Sequence, residues 1–339
     1  MTLLHPSFAF LFAIVAYYFF QKHAHSFGLV DIPNSRSSHT KPTVRGFGVV
    51  IFLSVFLVAV FWSPLFVAQN AFFFMSMFLA MMVGLVDDVR GSAPRIKITT
   101  LVLISLLLMT DGYLISGAGV YLGVNIEIVY VISIFLTLFA VVAFTNAFNL
   151  SDGLDGLAGT ISLVIFSAFL LIGYLNNDQL LTIIPTLFIA AIVVFLLFNW
   201  HPAKIFMGDS GSLMIGFVIS ALGIHALNYI EPISILYIAA FPIFDSLIVF
   251  FRRISKGNSP FAPDRSHLHH ILLDQFDGNV PKTVMTIAMI QISFSAVGLL
   301  LVAQVEDSFV PLVVFVALLL ATYKLSSNLY FSKEKNRAV

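Results

Sequence analysis

Residues 181–198 read LTIIPTLFIAAIVVFLLF and run directly into NWHPAKIFMGDSGSLMIG at 199–216. The first string carries no charge. As a helix rising about 1.5 Å per residue it covers most of a hydrocarbon slab about 30 Å thick. The second string collects Lys204, Asp209 and two serines before apolar sequence resumes. Outward in both directions the same alternation repeats, with apolar spans expected at 4–20, 47–63, 71–86, 98–113, 128–145, 160–175, 181–198, 212–228, 233–251, 283–304 and 309–325. The predicted fold is therefore all-α, a polytopic membrane bundle of about eleven helices forming one domain over 1–339. The Gly- and Tyr-bearing segment 112–127 is expected to form a small hairpin on the outer side. The run at 4–20 has no positive segment before it and no small-x-small cleavage site after it, so it is expected to stay as the first span.

Composition agrees. Hydrophobic residues make up 59% of the 339, charged residues 10%, and mean hydropathy is +1.00. A soluble domain carries about a quarter charged residues. Zero cysteines exclude disulfides, thiolate metal sites and cysteine nucleophiles. The formal net charge is zero and no basic block is dense enough to bind nucleic acid.

Orientation follows from charge. All 17 Lys and Arg fall in loops 21–46, 87–97, 199–211 and 252–282 or from Lys324 onward. The alternate loops hold only acids: Asp111, Glu127, Asp178, Glu231, Glu306 and Asp307. By the positive-inside rule the N-terminus is expected outside and the C-terminus in the cytoplasm. The external loops are short and show no cluster, so the chemistry is expected on the inner face, in those loops and in 146–160.

Asp87 and Asp88 close a span as GLVDD. Adjacent carboxylates beside hydrocarbon repel each other and lose solvation, so a cation or a proton-transfer task is the expected reason for them. A solvated pair at a helix end is the plainer alternative, but the macrodipole disfavours acids there. In NAFNLSDGLDGLAGT, Asn146, Asn149, Asp152 and Asp155 recur every third residue, which predicts one side of a helical turn. No Lys or Arg lies in this loop, pointing to a bound cation or to hydrogen bonds with a nucleobase or sugar. Asp209 precedes a span, where it would either N-cap the helix or offer a hard oxygen to Mg²⁺. Asp87, Asp88, Asn149 and Asp209 are the candidate oxygens. Arg252, Arg253, Lys256 and Arg265 suit phosphate, although basic residues there also mark topology. His267, His269 and His270 fit a diphosphate better than zinc, because no further His or Cys motif accompanies them. Lys41 and Arg45 in SRSSHTKPTVRGFG carry a weak signal alone.

The strings GLVDD (84–88), NAFNLSDGLDGLAG (146–159), FMGDSGS (206–212) and SPFAPDRSHLHH (259–270) together resemble the polyprenyl-phosphate N-acetylhexosamine-1-phosphate transferase superfamily over nearly the whole chain. Leu268 interrupts the histidines, so the chain looks like the WecA-type rather than the MraY-type branch, which has three consecutive histidines. The resemblance implies a bacterial inner-membrane enzyme with its active site facing the cytoplasm. It would transfer N-acetylhexosamine-1-phosphate, with UDP-GlcNAc the leading donor, to undecaprenyl phosphate. UMP would leave, and a lipid-linked surface glycan such as O-antigen or common antigen would begin. It implies Mg²⁺, with Mn²⁺ as a substitute, held by Asp209 and Asn149. Catalytic roles are implied for Asp87, Asp88, His269 and His270. Substrate contacts are implied for Lys41, Lys97, Asn146, Asp152, Asp155, Asn199, Phe206, Arg265 and His267. A homodimer rests on the resemblance only. An ion-coupled transporter would set its ionisable groups near mid-membrane on broken helices. A CDP-alcohol phosphotransferase needs an Ala-Arg pair that DGLDGLAGT lacks.

Overall fold

The computed structural model describes residues 4–33, 42–255, 257, 266–304 and 307–337. Lys41, Lys256 and Arg265 lie outside the described residues. The helices are α1 (Leu4–His23), α2 (Gly48–Trp62), α3 (Pro64–Gln69), α4 (Ala71–Arg90), α5 (Pro94–Met109), α6 (Tyr130–Leu150), α7 (Leu157–Asn176), α8 (Gln179–Asn199), α9 (Gly208–Ala226), α10 (Pro232–Ile238), α11 (Ala240–Ser255), α12 (Leu268–Gln275), α13 (Val280–Gln304) and α14 (Phe309–Arg337). Two short antiparallel pairs join them, β1 (Val30–Asp31) with β2 (Thr43–Val44) and β3 (Gly117–Tyr121) with β4 (Val124–Glu127). The second pair is the hairpin expected within 112–127.

The chain is a multi-pass, all-α membrane protein. Among the described residues seven helices are long and apolar enough to cross a bilayer: α4, α6, α7, α8, α9, α13 and most of α14. The pair α10 and α11, bent by 85° at Ala239, makes up to eight. One expected span is corrected, since that at 233–251 is broken. The span expected at 47–63 holds α2, an apolar helix of 15 residues. Helix α4 runs on to Arg90, past the expected limit of its span at 86, so Asp87 and Asp88 sit in its last turn, at the helix end as expected.

Helix α9 is the centre of the bundle. Its apolar window is 83% buried, against 17% for that of α14, which faces outward. Lipid tails are as apolar as the side chains, so helices in a bilayer associate through close packing rather than by escaping water. Small residues supply it here. A Cβ on Gly48 of α2 would stand 2.1 Å from the Gly211 nitrogen, and one on Gly84 of α4 would stand 2.1 Å from the Asp209 carbonyl oxygen. The N-terminus of α9 is thus pressed between two neighbouring backbones.

The break at Ala239 needs its own hydrogen-bond partners, because unpaired backbone groups are costly inside a membrane. Gln291 of α13 supplies them. Its Oε1 accepts from Phe241 N at 3.0 Å and its Nε2 donates to Ile238 O at 2.7 Å. Ser295 Oγ also reaches Ile238 O, at 3.1 Å. Replacing Gln291 with Leu leaves the Phe241 N–H alone, at about 1–3 kcal/mol. Gln291→Leu is therefore expected to melt several degrees lower in detergent; an unchanged melting temperature would show that the break stands without it.

Polar residues collect at both ends. At the end away from the basic loops, Asp178 caps α8 through Leu181 N at 2.7 Å and accepts from His225 Nε2 and Tyr229 Oη, both at 2.8 Å. That corrects the expectation of external loops without a cluster: Asp178 lies 47 and 51 residues from its two side-chain partners and meets them only through folding. The bonds at Asp178 act against the effect of its burial and hold its carboxyl below the usual range.

Candidate active site

At the opposite end the ends of α4, α6 and α8 meet the starts of α2, α5, α7 and α9. The segment before α2 pairs with the segment before α9: Phe206 N donates to Val44 O at 2.7 Å and Gly48 N to Met207 O at 3.2 Å. Asn199 ties two further loops, accepting from Gly156 N at 2.8 Å and donating to Ile205 O at 2.7 Å. These ties enclose a polar cavity of about 320 Å³ lined by Asp31, Arg45, Asp88, Asn149, the turn Asp152–Asp155, Asn199 and Phe206–Asp209.

Asp88 differs from its neighbour in what it does. Its two oxygens accept from Asp209 N at 2.9 Å and Ser210 N at 3.0 Å, so it caps the first turn of α9 from another helix. It is 4% exposed. Gly208, at φ 72°, lets the chain pass: a Cβ there would lie 2.5 Å from Asp88 Oδ2. The alternative of Asp209 as the N-cap is thereby corrected. Asp209 sits in the first turn with its carboxylate free of capping.

Asp87 turns the other way. It accepts from Ser92 N at 2.7 Å, Ser92 Oγ at 2.5 Å and Lys97 Nζ at 3.0 Å. Lys97 Nζ also lies 2.7 Å from Asp209 Oδ2, so one ammonium bridges both acids. Acids at two span ends thus share one basic partner, a link between residues far apart that neither loop reveals alone. The other oxygen of Asp209 accepts from Asn149 Nδ2 at 3.0 Å, and the same amide donates to Ser212 Oγ at 2.8 Å. Both of these bonds use the amide nitrogen of Asn149 and not its side-chain oxygen.

The three-residue spacing expected to continue one helical side does not do so. Helix α6 ends at Leu150, and Asp152 and Asp155 lie in the turn before α7. Asn149, Asp152 and Asp155 still meet in the cavity, whereas Asn146 is exposed and outside its lining. Asp155 Oδ2 accepts from His201 Nδ1 at 2.8 Å and Ala203 N at 3.1 Å. His267 and His269 also lie outside the lining. They stand behind the turn, held by Asp245, a buried acid of α11 that the reading of the loops missed. A lone acid inside the apolar stretch 233–251 was the signal for it. Arg252, 1% exposed, donates to Ser266 O, Ser326 Oγ and Ser327 Oγ, fastening α14 to the start of the histidine segment.

Burial raises the Asp152 carboxyl, and Asp209, Asp88 and Asp155 raise it further, to about 7. A carboxyl crowded by three other acids is suited to a divalent cation, and hard oxygen donors are what Mg²⁺ takes. Between about pH 4 and 7 the folded state then holds a proton at Asp152 that the unfolded chain has lost, so stability falls as pH rises through that window. The expected result is a melting temperature that declines from pH 5 to 8, with a shallower slope in Asp152→Asn and upon addition of Mg²⁺ to the wild type. An identical slope in wild type and variant would show that Asp152 is ionised throughout.

Over residues 70–227 the sequence matches the family described as Glycosyl transferase family 4. Over 276 residues it is 33% identical to a protein of Escherichia coli K12 named undecaprenyl-phosphate alpha-N-acetylglucosaminyl 1-phosphate transferase, covering 78% of this chain and 74% of that one. The protein of that name from Yersinia pestis matches at the same identity and coverage. A Bacillus subtilis protein named probable undecaprenyl-phosphate N-acetylglucosaminyl 1-phosphate transferase is 31% identical over 283 residues, 81% of this chain and 77% of its own. The chain therefore belongs to glycosyl transferase family 4, among the WecA-like proteins that its four loop strings resemble.

Proposed function

We propose that the protein transfers N-acetylhexosamine-1-phosphate, most simply GlcNAc-1-phosphate, from a UDP-sugar to undecaprenyl phosphate. A lipid-phosphate oxygen attacks the β-phosphorus, the bond from that phosphorus to the oxygen bridging the two phosphates breaks, and UMP leaves with that oxygen. The observation carrying this reading is the meeting of Asp87, Lys97, Asn149 and Asp209 at one end of the bundle, beside an acidic cavity. Phosphoryl transfer depends on positioning and charge neutralisation more than on covalent help.

Asp209 and Asn149 fit Mg²⁺, which when bound neutralises the donor diphosphate. Lys97 orients Asp87 and Asp209 toward each other and adds a positive charge beside the transferred group. Asp87, fixed by Ser92 and Lys97, orients the attacking lipid phosphate. The turn Asp152–Asp155 and Phe206 form the wall against which the nucleotide lies. The histidine segment, with Lys41 and Arg265, serves the phosphates.

An apolar groove of about 480 Å³ supports the lipid half of the reading. It runs between α6, α9, α10 and α11, from the β3–β4 hairpin to Ala147, two residues short of Asn149. A polyprenyl tail lying there would bring its phosphate to the acids without crossing water. The seven spans, the bent pair and α1, α2 and α5 make eleven crossings of a bacterial inner membrane. The N-terminus is then outside and the acidic cavity in the cytoplasm, as the placement of every Lys and Arg supports. The product would begin a lipid-linked surface glycan, and the active protein would be a homodimer by analogy with its family.

The test of the donor is turnover by detergent-purified protein with undecaprenyl phosphate and Mg²⁺. UDP-GlcNAc is expected to release UMP. Turnover only with another UDP-N-acetyl sugar would change the donor and keep the reaction; silence with all of them, from folded protein, would refute it.

A further inference from the structure

Asp245 lies within an apolar helix, is 0% exposed, and touches none of the residues assigned above to nucleotide or metal. A buried carboxylate in such a place persists only with partners. It has three. Oδ2 accepts from His267 Nδ1 at 2.9 Å and His269 Nδ1 at 3.2 Å, and Oδ1 accepts from Leu268 N at the start of α12. The two imidazole rings stack with centroids 5.3 Å apart.

An anionic oxygen between two Nδ1 atoms requires a proton on each of them. The tautomer of both rings is thereby set, and Nε2 is left as the outward-facing atom of each. For His269 the direction is visible: a Cβ on Gly153 would stand 2.3 Å from its Nε2. Gly153 is part of the cavity lining, in the turn that carries Asp152 and Asp155. The ring therefore points from a buried anchor to the edge of the cavity, and the absence of a side chain at residue 153 keeps that path open. On the far side, Ile243 and Leu247 line the apolar groove two residues to either side of Asp245, so one helix serves both halves of the site.

We infer that Asp245 is a positioning residue, which fixes His267 and His269 through Nδ1 so that His269 presents Nε2 to the phosphate groups bound beside the Asp152–Asp155 turn. This rests on the transferase reading above for the identity of the phosphates, but the orientation of the rings does not. When His269 is protonated, Nε2–H donates to a phosphate oxygen while Asp245 balances the charge. When Asp245 is replaced by Asn, the carboxamide can set an N–H against Nδ1, and the tautomer is no longer dictated.

Two measurements on the full-length protein in detergent test this. The first does not depend on the reaction: nitrogen-15 spectra of histidine-labelled protein, with His267 and His269 assigned by their Gln variants. Both are expected to show protonated Nδ1 in the wild type and to lose that signature in Asp245→Asn; signals that do not change between the two would overturn the inference. The second uses wild-type UMP release as its reference, so that silence of the wild type counts against the transferase reading and not against the ring geometry. Asp245→Asn is expected to lower kcat about 10–100-fold, as loss of an orienting partner does, with KM for the UDP-sugar little changed. Added to His269→Gln it should cost no more than about a further twofold, because both changes remove one unit. Losses that multiply, or a change in KM alone, would reduce Asp245 to a cap of α12. If Asp245→Asn does not fold, Asp245→Glu keeps the charge, displaces it by one methylene, and is read by the same outcomes.

Discussion

Asp209→Ala is expected to lower turnover roughly 10²–10³-fold, the loss typical of removing one group that stabilises transition-state charge, and to leave the protein folded. Its position explains both halves. The backbone N–H of residue 209 is held by Asp88 whatever side chain it bears, so the first turn of α9 keeps its cap. The carboxylate accepts from Lys97 and Asn149, each of which has a second partner, in Asp87 and Ser212 respectively. Its removal takes away the carboxylate proposed for Mg²⁺ and leaves the scaffold intact. Activity within a fewfold of wild type, in protein that melts normally, would remove Asp209 from the reaction.

Asp88→Ala is expected to behave in the opposite order, with destabilisation first and inactivity as its consequence. Two N–H groups, the part-buried one of Asp209 and the buried one of Ser210, lose their acceptor, the latter at about 1–3 kcal/mol. The N-terminus of α9, already pressed against Gly48 and Gly84, has no side chain of its own to replace the cap. The melting temperature should therefore fall well below that of Asp209→Ala, and turnover should fall because Asp209 rides on the loosened turn. A variant that melts like the wild type yet fails to turn over would return Asp88 to direct contact with the reactants.

The contrast between those adjacent acids shows where sequence reading stops. Residues 84–88 announced carboxylates at a membrane edge, and hydrophobic spacing placed them correctly at the end of a helix. Which carboxylate holds Lys97 and which caps another helix depends on α9, more than a hundred residues later. The same holds for Lys97, whose two acidic partners lie 10 and 112 residues away. Residues 146–155 were legible as a polar unit, but not as a helix end followed by a turn. The glycines that permit the turn also ended the helical spacing. The break at Ala239 has a local sign in Pro242, which has no N–H to return to Ile238, but Gln291, which satisfies the break, sits in a separate span. Asp245 lies outside every loop, inside an apolar stretch, where the cost of an acid makes it most informative.

The central claim is that phosphate moves with the sugar, and UDP-GlcNAc labelled with ³²P at the β-phosphate tests it most directly. Incubated with purified protein, Mg²⁺ and undecaprenyl phosphate, the label is expected in the lipid phase as a diphosphate-linked product, with unlabelled UMP in the aqueous phase. Label recovered as UDP, with sugar alone on the lipid, would contradict the account.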